Sequence, residues 1–204
     1  MTRRKVRQII NNLWIRISRH NIALLSYLRR KKLLFGSFLT GSKLIFGENI
    51  LIEKGVNISL DRDATMTVGN NTVFRYNSVV VIKKGAHFKI GNNCSVNHHS
   101  SIGSMSSVSI GNNCMIAPFV TILDWSHKFS NLNISKREQG FSVGEVHIGE
   151  DVWIGTHVSI FKGVTIGDRA IVGANCVIRN NVLPQNILVT QEAIVQSVIG
   201  EKND

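Results

Sequence analysis

A histidine, a carboxylate and two aromatic rings lie close together in "ILDWSHKFSN", residues 122–131. His127 is the residue type suited to take a proton from an alcohol near neutral pH. Its reference pKa of about 6.5 leaves the ring mostly neutral there. An alcohol is too weakly acidic to attack a carbonyl unaided, so a positioned base is required, and such assistance contributes about 10²–10⁴-fold. Asp124 is within sequence reach of the ring's other nitrogen and is the candidate to orient it; a backbone carbonyl is the alternative. Trp125 and Phe129 form either a stacking wall for a ligand or an apolar packing contact of the segment.

What positions this segment is a repeat that it interrupts. Ile148, Ile154, Ile160, Ile166, Val172 and Ile178 are spaced by six, each preceded two residues earlier by Val146, Val152, Val158, Val164, Ala170 or Cys176. Earlier triplets keep the period: Val68, Phe74, Val80; Ile90, Val96, Ile102; Ile110, Ile116, Ile122. A six-residue period fits neither a helix nor one long strand. It fits short strands joined by tight turns, three to a triangular coil, with coils paired about 4.8 Å apart. Side chains two apart share a strand face, so each unit sends two apolar side chains inward. The expected fold is a parallel β-helix, a solenoid whose coils contact their neighbours. After Ile122 the next in-phase residue is Ile148, so a loop of about 124–145 must protrude. Cys94, Cys114 and Cys176 fall on the small inward position and read as buried structural thiols.

Charge divides the chain. Residues 1–43 hold eleven Lys or Arg and no acid, and the net charge of the whole is +11. The balance after residue 43 is neutral, which places a boundary there and leaves 44–187 as the solenoid and 188–204 as a tail. Val6, Ile9, Ile10, Leu13, Trp14 and Ile17 follow helical spacing. A basic amphipathic segment with a tryptophan suits an anionic membrane surface; the other reading is a cap on the solenoid's open end. No groove-reading motif accompanies the charge, which argues against nucleic-acid binding. Three cysteines do not make a disulfide framework. No run reaches the ~18–20 apolar residues of a membrane span, and the expectation is a cytoplasmic protein.

"IGNNCMIAPFVTI", a loop, and "HIGEDVWIGTHVSIFKGVTIGDRAIVGANCVI" together resemble the hexapeptide-repeat acyltransferases. The resemblance covers roughly residues 66–184 and is strongest to the maltose and galactoside O-acetyltransferases and their polysaccharide-modifying relatives. It implies an all-β, left-handed parallel β-helix with a short basic N-terminal helical segment. It further implies a homotrimer, acetyl-CoA as acyl donor, a carbohydrate acceptor and an active site between two subunits. On the matching motifs, His127 takes the place of the catalytic base. Asn97 of "SVNHHSSI" is the acceptor-binding asparagine, and Met115 lines the acceptor pocket. Trp153, Gly155 and Thr156 of "VWIGTH" approach the thioester, and Gly173 and Ala174 of "VGAN" continue the coenzyme run. Gly155 is expected to let the thioester come close to the backbone. The family's lysine after the last repeat is Asn180 here, its proline pair is reduced to Pro184, and its Gly-x-Pro turn is missing, leaving Arg179 or Lys162 for phosphate contact. His98 and His99, being adjacent, are expected to point to opposite faces.

These residues favour acetyl transfer to a sugar hydroxyl of a surface polysaccharide or its lipid-linked precursor. Open beside it are an amino-sugar N-acetyltransferase, an antibiotic acetyltransferase and a non-catalytic scaffold whose coenzyme site has decayed. A metal-dependent hydrase on the same solenoid needs three convergent histidines with a spaced pair. No H-x₄-H occurs, and no metal is expected.

Overall fold

The computed structural model describes the backbone over residues 3–190 and side chains from Ile22 to Thr190. Three parallel sheets of 6, 7 and 6 strands form the faces of a triangular solenoid. The first face starts with Lys43–Phe46, the second with Leu51–Ile52 and the third with Asn57–Leu60. Each strand pairs with the strand one coil later, as in Lys43↔Thr65, Leu51↔Val73 and Asn57↔Val79. The expected apolar pairs do point inward: Val68, Phe74, Val80, Ile90, Ile116, Ile154, Ile160 and Ile166 are buried in one continuous core. Burying each such side chain contributes roughly 1.5–3 kcal/mol.

A first coil precedes the repeats recognised from sequence. Phe46, Ile52 and Ile58 hold the same six-residue phase and lead into the same core columns. The spacing between coils is 22 residues at first, then 20, then 38 across the protruding segment, then 18 and finally 16. All the extra residues fall at one corner, between the third and first faces, in "DRDA", "KKGA", "GSMS" and the segment after Ile122. The corner between first and second faces is built by repeated Gly-Asn-Asn. Asn49, Asn71, Asn93 and Asn113 are all left-handed, a conformation asparagine tolerates. Their amides form a ladder, each Nδ2 donating to the next Oδ1 at 3.1 Å.

The inward thiols are hydrogen-bonded as well as buried. Cys94 Sγ donates to Gly111 O and Cys114 Sγ to Gly149 O, both at 3.1 Å. A hydrogen bond with Cys94, and then burial, push the Cys114 thiol well above the ordinary range.

The helix Arg3–Thr40 lies against the first coil. Its contacts are polar as well as apolar. The Ser26 hydroxyl accepts the Ile52 N–H at 2.8 Å and donates to Ile50 O at 3.3 Å. Arg29 Nη1 donates to Ile52 O at 2.8 Å, and Leu33 packs on the core. The helix therefore closes the solenoid's open end, within the 1–43 segment expected to be helical. The stripe expected over Val6–Ile17, and the tail beyond Thr190, lie outside the described side chains. Among the described residues no helix is long and apolar enough to cross a membrane.

Candidate active site

The segment that interrupts the repeat is a β-hairpin arm. Trp125–His127 pairs antiparallel with Phe141–Val143, in the register Trp125↔Val143, Ser126↔Ser142, His127↔Phe141. The Gly144 N–H closes its root on Asp124 O at 2.8 Å, and the Lys128 N–H continues it to Gly140 O at 3.0 Å. Strand alternation puts Trp125 and His127 on one side. Their rings sit 6.0 Å apart, edge to face, and Phe141 closes the cluster at 4.5 Å from the imidazole and 5.1 Å from the indole. His127 is exposed on a paired strand, its ring braced by two aromatics. Phe129 lies beyond the paired strand and is exposed. Phe141, on the returning strand, is the aromatic neighbour that sequence reasoning missed. Only the antiparallel register reveals it.

Asp124 does not serve His127 in this geometry. Its carboxylate is buried and accepts the Met105 N–H at 2.7 Å and the Ser106 N–H at 2.8 Å, with the Ser104 hydroxyl at 3.0 Å. Asp124 sits at the bend between the strands Thr121–Leu123 and Trp125–His127, and its side chain is buried against the preceding coil where His127 is exposed. The carboxylate is a clamp between the arm's foot and the corner of the preceding coil. The orienting contact expected from Asp124 to His127 is not made; the imidazole instead packs against Trp125 and Phe141.

The remaining candidates gather elsewhere. Met115 and Trp153 are register partners on the outer side of the second face, 54% and 49% exposed. Asn97, Ala117, Gly155 and Gly173 follow as a column at the second-to-third corner, each donating its N–H to the coil beyond. Asn97 Oδ1 accepts the His98 N–H at 2.8 Å. Thr156 Oγ1 donates to Pro118 O at 2.9 Å. Among the described residues nothing accepts from the Thr156 backbone N–H. Gly155 has a packing reason of its own. A Cβ there would lie 2.7 Å from Ala174 N and 2.8 Å from Val172 O. The glycine makes room for the next coil.

Arg179 and Asn180 stand at the third-to-first corner with the arm, away from Gly155, Thr156, Gly173 and Ala174. The Arg179 guanidinium lies 5.6 Å from the Phe161 ring. One subunit thus displays the arm on one edge of its third face and the Trp153–Thr156 edge on the other. The separation is roughly 15 Å, from about five residues of strand.

On the same second-to-third corner as Thr156 runs a feature sequence reasoning did not assemble. His99, Phe119 and His157 occupy the left-handed position of successive second-to-third corners, at φ 59°, 60° and 58°. Phe119 stacks on both histidines, 5.1 Å and 4.8 Å between ring centres, and Tyr76 stacks on His98 at 4.8 Å. A bulky aromatic in this conformation is costly without compensation. His98 and His99 do not diverge as expected: their Nδ1 atoms are 3.1 Å apart. They sit in a turn, where strand alternation does not hold. The signal lay in "NHH", "APF" and "GTH" sharing one hexapeptide phase.

A family model described as "Bacterial transferase hexapeptide (six repeats)" matches residues 145–180. Galactoside O-acetyltransferase of Escherichia coli K12 is 34% identical over 146 residues, 72% of this chain and 68% of that protein. The chain belongs to the hexapeptide-repeat acyltransferases. Its solenoid is accordingly the left-handed β-helix of that family. The E. coli K12 protein described as putative lipopolysaccharide biosynthesis O-acetyl transferase WbbJ is 30% identical over 71% of this acyltransferase, which spans 65% of it. Among solved structures, the Bacillus cereus N-acyltransferase AntD, in complex with dTDP and 3-hydroxybutyryl-CoA, superposes with a TM-score of 0.62. It is 20% identical, and the match covers 78% of this chain and 83% of that one. A hexapeptide-repeat acetyltransferase from Vibrio cholerae superposes at 0.53 with 20% identity, over 79% and 73%. At those identities the likeness is one of fold.

Proposed function

We propose that the chain transfers an acetyl group from acetyl-CoA to a sugar hydroxyl, on a surface polysaccharide or its lipid-linked precursor, at the cytoplasmic face of a membrane. Membership of the acyltransferase family, and O-acetyltransferases among its relatives, support the reaction class. The observation that carries the mechanism is the division of labour between two edges: an exposed imidazole on a braced arm, and an uncommitted backbone N–H beside an exposed Trp153.

Acetyl-CoA supplies an acyl group activated as a thioester. Trp153 offers it an open apolar surface, and Gly173 and Ala174 continue that edge. His127 accepts the proton of the acceptor hydroxyl as its oxygen attacks, then returns it to the departing thiol. The Thr156 N–H donates to the oxygen on which negative charge develops. Asn97 holds the acceptor, with Met115, Trp125 and Phe129 bordering it. Arg179 and Asn180 take the coenzyme's polar end. Because the two edges are a face apart in one subunit, a neighbouring subunit completes the site, and a homotrimer closes three such sites.

The test is release of CoA thiol with free galactosides, oligosaccharides, amino-sugar nucleotides and aminoglycosides as acceptors. Turnover with a hydroxyl acceptor is expected. Turnover confined to amines would replace the proposal with N-acetylation. No turnover, together with a melting temperature unmoved by saturating CoA, would leave a scaffold, because a ligand that binds the folded state must raise it.

A further inference from the structure

The capping helix is amphipathic the wrong way round for a soluble cap. Ser26 and Ser37, both buried, face the solenoid with Arg29 and the half-buried Leu33. At 3.6 residues per turn, Leu24, Leu28, Phe35 and Leu39 form one stripe roughly opposite Ser26. That stripe faces away from the protein. Phe35 is 65% exposed, Leu39 67% and neighbouring Phe38 80%. Lys31 and Lys32 border it on either side and are exposed.

We propose that this outward face docks the protein on an anionic lipid bilayer surface, helix in the plane of the interface and solenoid axis projecting from it. Three observations select this occupant. Residues 1–43 carry eleven basic residues and no acid, which complements an anionic surface and attracts it within a Debye length. The described helix is not apolar enough to span, so the stripe suits the headgroup boundary. A second copy of the helix on the same stripe would bring Lys31 and Lys32 against their like, with no acid in residues 1–43 to pair them. The hydrogen bonds of Ser26 and Arg29 fix the helix to the first coil, so docking orients the whole enzyme. The inference does not depend on the acetyl-transfer reading, since vesicle binding is measured without acceptor and transfer to soluble sugars without vesicles.

The full chain is sedimented with vesicles of phosphatidylcholine alone and with added phosphatidylglycerol, at low and high salt. Partition to the anionic vesicles at least tenfold above the neutral ones, reduced by salt, is expected. The doubly substituted L28S/F35S protein is expected to lose at least tenfold of that partition while keeping the parent's melting temperature. Equal partition to both compositions, or none, overturns the proposal from the wild-type protein alone. So does an L28S/F35S protein that pellets like the parent. A drop in oligomer mass in L28S/F35S with vesicle binding unchanged overturns it in favour of helix-to-helix packing.

Discussion

The Asp124 carboxylate accepts the Met105 backbone N–H at 2.7 Å, tying the foot of the hairpin arm to the corner of the coil before it. The same group accepts the Ser106 N–H at 2.8 Å. Asp124→Ala strips two enclosed amides of their acceptor. Each such loss costs about 1–3 kcal/mol, so urea unfolding is expected to show a loss of about 2–6 kcal/mol for the pair. Asp124→Asn is expected to be destabilised with its pH–rate profile in place. A displaced profile at unchanged stability would return Asp124 to the role of orienting His127.

His127 presents the opposite expectation. Its ring is exposed and makes aromatic contacts alone, so His127→Ala is expected to change unfolding free energy by less than about 1 kcal/mol. Loss of the base should lower kcat by about 10²–10⁴-fold. Thiol release and denaturant unfolding on the same preparation separate the two readings. Retained turnover would remove His127 from the chemistry.

Trp153 and Ile154 are adjacent and point to opposite sides of one strand. Ile154→Ala opens the core and is expected to cost about 2–5 kcal/mol. Trp153→Ala is expected to leave stability within about 0.5 kcal/mol, as for surface positions, and to raise KM for acetyl-CoA. A KM that does not move would take Trp153 out of the coenzyme surface.

Phe119 holds a left-handed backbone between two histidine rings. Phe119→Ala loses the stacking and keeps most of the backbone cost, whereas Phe119→Gly loses the stacking and relieves it. Glycine is therefore expected to be the more stable by about 1 kcal/mol. Thermal unfolding of the two variants measures the difference, and equal stabilities would show that the conformation carries no strain.

Much of the fold was legible because its unit is short. Ile148 to Ile178 repeat at six without a break, and each residue stacks on its counterpart a coil away, so local pattern and tertiary contact coincide. The first coil obeys the same rule in Phe46, Ile52 and Ile58 and lies within the expected 44–187 solenoid, ahead of the triplets that begin at Val68. The candidate site was legible where a motif fixed a residue type, as at His127, Trp153 and Thr156. It was not legible where the reason was a partner distant in sequence. Gly155 answers to the Ala174 backbone, Asp124 to Met105 and Ser106, and Phe141 reaches His127 only through the hairpin register.

The sequence by itself determined that the chain coils in sixes, that it leaves the coil once, and that a histidine rides on the excursion. Periodic burial of aliphatic side chains leaves no other way to satisfy that pattern. Tertiary structure alone decided which groups those excursions meet. It turned the carboxylate beside the histidine into a clamp and gathered rings from four corners into a stack. It also turned the polar side of the helix inward, because hydrogen-bond partners for Ser26 and Arg29 exist only once the first coil has formed.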